Sequence, residues 1–119
     1  MTNKQTYIDQ AANWARSHGF IDIKANTEGY PKPIGYGRQQ DGQSFIPDVT
    51  GLQFEHKSYF EVILKTSNLD ELVSKLKLLS QLTSMGGGQL YLMAPKGHLP
   101  FAKSIAVGNR IVAEVINLS

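Results

Sequence analysis

The chain contains no cysteine, which excludes disulfides, thiolate metal centres and a thiol nucleophile and fits a reducing compartment. It also lacks any apolar run approaching the roughly 18 residues needed to span a bilayer, and its opening decapeptide, MTNKQTYIDQ, has no apolar signal core. Together these absences predict a soluble, cytoplasmic protein. Charge is sparse and nearly balanced: 12 Lys and Arg against 10 Asp and Glu leave a net charge of +2. That is too little to attract a polyanion over the whole surface, so any nucleic-acid contact must be local. The three histidines, His18, His56 and His98, fall in different segments without metal-ligand spacing, and each is expected to be a surface or locally bonded residue. No GxSxG elbow, Walker A loop or GxGxxG after a strand occurs. Gly86-Gly87-Gly88 follows a helical pattern instead of opening one, so it reads as a helix stop and not as a phosphate cradle.

What remains is enough for one core. A chain of 119 residues buries about two-thirds of its unfolded surface, which predicts a single domain over 1–119. Residues 7–18 carry Tyr7, Ile8, Ala11, Ala12 and Ala15 at helical spacing before Gly19. Residues 20–25 alternate as a half-buried strand, and the glycine- and proline-rich segment 27–43 reads as a long loop. Residues 46–54 and 58–66 read as an antiparallel pair joined by a turn at Glu55-His56-Lys57. Asn68 with Glu71 resembles a capping box, opening a helix on which Leu69, Leu72, Val73, Leu76, Leu79 and Leu82 recur every three or four residues. A strand at 89–94 follows, parallel to the one before the helix because a helical crossover joins them; a short helix at 100–109 and a strand at 111–116 end the chain. The fold class expected is α/β (α+β), a mixed sheet with helices packed against it.

Charged side chains in the two central strands are the chemical anomaly. Asp48 follows Pro47, and Glu61 and Lys65 interrupt YFEVILK. Strand parity sends Glu61, Ile63 and Lys65 to one face, with Phe60, Val62 and Leu64 on the other. If pairing sets Asp48 near Glu61, two carboxylates and an ammonium converge at one edge of the sheet. Two oxygen ligands suffice to begin a magnesium site, since that ion keeps several waters and completes its shell with a phosphate-bearing substrate.

Pro47-Asp48, a turn and a charged strand ending in lysine, set among these elements, resemble the PD-(D/E)xK nuclease superfamily. The resemblance implies a restriction-endonuclease-like core of order α-β-β-β-α-β over residues 6–94, with an extra C-terminal helix and strand. It implies Asp48 and Glu61 as ligands of Mg²⁺ or Mn²⁺, Lys65 as the charge stabiliser, and DNA as the substrate. Two departures stand out. Matching Glu61 to the motif's second acid puts Ile63 where its lysine belongs, and matching Lys65 to the lysine puts Ile63 where the second acid belongs; Glu61 and Lys65 lie about 13 Å apart along the strand. The first helix offers Gln5, Asp9 and Gln10 but no glutamate. Gln81 resembles a glutamine that some members place near the metal; with Lys32, Arg38, Lys75 and Lys77 it makes up the weaker candidates for nucleic-acid contact. The expected function is a Mg-dependent nuclease. The alternatives are a catalytically degenerate relative that binds nucleic acid or protein, and a small oligomeric scaffold, such as a homodimer, that pairs strands between subunits.

Overall fold

A computed structural model describes residues 4–37 and 44–118. The elements are α1 (Lys4–Ser17), β1 (Ile21–Ala25), β2 (Tyr36–Gly37), β3 (Ser44–Phe45), β4 (Val49–Gln53), β5 (His56–Val62), α2 (Leu69–Gly86), β6 (Leu90–Ala94), α3 (Leu99–Gly108) and β7 (Glu114–Asn117). The chain is an α+β domain. Five strands form one mixed sheet in the order β1-β4-β5-β6-β7, and β2 pairs with β3 apart from it. β4 runs antiparallel to both β1 and β5, while β6 and β7 continue parallel to β5.

Side-chain parity divides the core in two. Ile8, Ala11, Ala12 and Ala15 of α1 bury against Phe20, Val49, Phe60, Val62 and Met93 on one face. On the other, Leu76 and Leu79 of α2 and Ala102 and Ile105 of α3 bury against Tyr59, Ile63, Leu90 and Leu92. Phe60 stacks on Tyr91 with ring centroids 4.8 Å apart, filling the space under the alanines that bring α1 close to the sheet. Tyr36 ties β2 to the other face: its hydroxyl lies 3.0 Å from that of Tyr59 and accepts a 2.9 Å hydrogen bond from the Lys57 ammonium.

The turn between β4 and β5 differs from the sequence expectation. It lies at Phe54-Glu55, both with positive φ (53° and 68°), so that Gln53 pairs directly with His56. This is the signature of a two-residue hairpin of the type normally built from Asn-Gly. β5 also ends at Val62 instead of running to residue 66, because its partner β6 ends at Ala94 before Pro95. At the start of α2, Asn68 makes no side-chain hydrogen bond to the helix backbone; its amide donates to the Glu71 carboxylate at 2.7 Å. Gly87, at φ +82°, closes the helix with its N–H on the Thr83 carbonyl, and a Cβ on Gly88 would collide with the Lys57 carbonyl. The glycine run is thus a helix stop pressed against the beginning of β5.

Candidate carboxylate and lysine site

The pairing of Val49 with Phe60 sets Asp48 opposite Glu61, one step beyond the end of the β4 ladder. Pro47 has no N–H to offer, and Asp48 turns its own N–H to the Glu61 Oε2 at 2.8 Å. The Val62 N–H returns a 2.9 Å hydrogen bond to the Asp48 Oδ2. Each strand end therefore holds the other's carboxylate by a backbone donor. Both residues are almost wholly buried, at 3% and 2% exposure. Phe60 and Val62 point toward α1, so Glu61 faces α2.

There it meets Lys75. Its Nζ sits 2.7 Å from Glu61 Oε1 and 3.9 Å from Asp48 Oδ1. Lys4, in the first turn of α1, approaches Asp48 Oδ2 at 3.3 Å from a more exposed position. Glu61 Oε1 accepts no aligned hydrogen bond, so its contact with Lys75 is ionic. Burial, and then the charge of Asp48, push the Glu61 carboxyl up to about 8 against the opposing pull of Lys75. Burial works to lower the Lys75 ammonium, but Glu61 and Asp48 outweigh it and raise it. The two shifts have one origin: a pocket that holds two acid groups needs positive charge, and Glu61 is the group that takes up a proton when that charge falls short.

The oxygens left without backbone donors, Glu61 Oε1 and Asp48 Oδ1, converge on the point that the Lys75 ammonium fills. That donor set fits a hard divalent cation using two protein oxygens, provided the ammonium moves aside. Among the described residues no group of three or more acidic or histidine ligands assembles, so water and substrate would complete the shell.

A cleft of about 420 Å³ opens beside the pair, lined by Lys4, Lys65 and Lys75 together with Thr66, Asn68 and Glu71. Lys65 lies beyond the end of β5 in an exposed loop, its backbone N–H bonded to the Nδ1 of His98. The structure thus brings Asp48 and Glu61 together and sets Lys65 at the rim of their cleft. Lys75, which the sequence suggests only as a weaker candidate for nucleic-acid contact, is the lysine that meets both acids. Its signal was its place in the apolar row of α2, between Leu72 and Leu79 at spacings of three and four. Lys4 carried no such signal.

The other candidates lie apart. Lys32 donates to the Thr27 carbonyl within its loop, Lys77 and Gln81 line a second cleft, and Arg38 lies outside the described residues. Each histidine has a local partner: His18 the Trp14 carbonyl, His56 the Gly86 carbonyl and His98 the Lys65 N–H. Among the described residues no helix is long and apolar enough to cross a membrane. No family model, curated protein or solved structure matches the chain.

Proposed function

We propose that the chain is a cytoplasmic, divalent-metal-dependent nuclease domain that hydrolyses DNA phosphodiesters, built on a restriction-endonuclease-like core. The observation that carries this reading is the buried Asp48–Glu61 pair, whose two oxygens without backbone donors converge on one cation position, now held by the Lys75 ammonium, beside a lysine-lined cleft. The element order supports the core: α1, then β1, β4 and β5 as adjacent antiparallel strands, then α2 crossing to parallel β6.

In this reading Asp48 and Glu61 would hold Mg²⁺ or Mn²⁺, and the ion would supply polarisation of a phosphoryl oxygen and a lowered pKa for an attacking water. Lys75 takes the charge-stabilising role that the motif assigns to a strand lysine. Its ammonium, held protonated by the two acids, neutralises the charge that builds on the non-bridging phosphate oxygens as water bonds to phosphorus and the ester P–O bond breaks. Lys65 and Lys4, on the rim, hold the flanking phosphates. Oligonucleotide cleavage assays with Mg²⁺ or Mn²⁺ test this: cleavage is expected in the wild type and absent in Asp48→Ala and Lys75→Met. A folded wild type that neither cleaves nor binds the metal by calorimetry overturns it.

A second reading, a nuclease fold kept as a binding module, is favoured by one feature. Lys4 and Lys75 already balance Asp48 and Glu61, so the cluster is neutral without a metal when all four are ionised. Salt-sensitive retention of DNA without cleavage would select it. A homodimer scaffold would use β7, which forms one edge of the sheet, and would show as a dimer mass in light scattering.

A further inference from the structure

A cleft on the far flank of α2 is separate from the carboxylate site. Two residues along an α-helix turn about 200°, so Lys77 projects away from Lys75 and from Glu61. Together with Ser80, Gln81 and Ser84 it lines a cleft of about 500 Å³, to which Arg110 and Val112 from the segment between α3 and β7 also contribute. That volume is in the range of small-molecule sites, about 300–1,000 Å³. No acidic side chain lines it, and Lys77 and Arg110 have no ion-pair partner among the described residues. Two cations, serine hydroxyls and a glutamine amide facing one space, beside an apolar wall, suit an anionic ligand with a polar body.

Arg110 adds a separate argument. It follows the C-cap Asn109 at φ +54°, the left-handed position where helices usually place glycine. The conformation is fixed on both sides, with the Arg110 N–H on the Val107 carbonyl at 3.3 Å and the Ile111 N–H on the Ala106 carbonyl at 2.9 Å. A long cationic side chain thus stands where the backbone favours glycine, and it lines the same cleft as Lys77.

We infer that this cleft binds a phosphate-bearing ligand of nucleotide size, with Lys77 and Arg110 clamping the phosphate and Ile111 and Val112 backing the base. The phosphate belongs to a free nucleotide or to a nucleotide unit of a nucleic-acid strand. The test is calorimetry and thermal unfolding of the full chain, without divalent metal, against pyrophosphate, ADP and a short single-stranded oligonucleotide. Binding is expected for the wild type and for Asp48→Ala, so that the outcome stands apart from the nuclease reading. Arg110→Gly and Lys77→Ala are each expected to weaken binding at least tenfold, while Arg110→Gly unfolds at a temperature no lower than the wild type. Tight ADP binding assigns a free nucleotide, and binding of the oligonucleotide alone assigns a strand. Failure of the wild type to bind any probe overturns the inference, as does undiminished binding in both variants. Loss of stability in Arg110→Gly with binding intact would make Arg110 a helix-end residue and would also overturn it.

Discussion

Lys75→Met is the perturbation that probes the site most directly. Methionine keeps the apolar stem of the lysine, ending one atom short, but removes the charge 2.7 Å from Glu61 and 3.9 Å from Asp48. Severing a buried ion pair costs about 3–5 kcal/mol, and because the Lys75 side chain remains 18% exposed the lower end, about 3 kcal/mol, applies. That cost depends on whether Glu61 carries a charge. Its folded pKa, about 8, lies above the unfolded value, so the carboxyl contributes stability that is fully present below the unfolded pKa and lost as pH rises through about 8. Lys75 opposes this rise, so its removal drives the Glu61 pKa higher still and delays ionisation in the variant. At about pH 6 Glu61 is protonated in both proteins and they differ by about 1 kcal/mol; at about pH 9 the wild type ionises Glu61 against Lys75, the variant cannot, and the gap opens to about 3 kcal/mol. Urea unfolding followed by circular dichroism measures the difference at each pH. Repeating the substitution in a Glu61→Gln background should cost less than about 1 kcal/mol at every pH. A pH-independent cost, or an equal cost in both backgrounds, would refute the coupling between Lys75 and Glu61.

Two backbone predictions are simpler. Replacing Phe54-Glu55 by Asn-Gly gives residues suited to positive φ, removes an 86% exposed phenylalanine, and should raise stability by about 1 kcal/mol in urea unfolding. Gly88→Ala drives a methyl group into the Lys57 carbonyl and should lower stability by at least about 2 kcal/mol in the same unfolding assay.

The helices and the crossover were legible because periodic burial is written into the sequence: the leucine row of α2 and the alanine face of α1 are single-period signals. The pairing register was not. A turn at Glu55–Lys57 would have paired Phe54 with Ser58 and set Asp48 opposite Leu64; the tighter turn at Phe54-Glu55 sets it opposite Glu61. Phenylalanine and glutamate at positive φ give no sign of that turn in composition. Asp48 and Glu61 stood out as charges in apolar strands, whereas a lysine among helix leucines resembles any amphipathic surface residue until the helix docks. Lys4 reaches the site only because α1 packs with its first turn above the start of β4, a tertiary fact that no local pattern carries.

The ammonium at the centre of the carboxylate pair has a consequence for the order of events. Lys4 and Lys75 already balance the acid groups when all four are ionised, so on the proposed function an incoming metal must first displace Lys75. A phosphate group arriving in the cleft offers the displaced ammonium a new partner, so on the proposed function metal and substrate each lower the cost of binding the other, by equal amounts. On that proposal the apo-protein is a resting state with weak metal affinity, and nucleic acid completes the site.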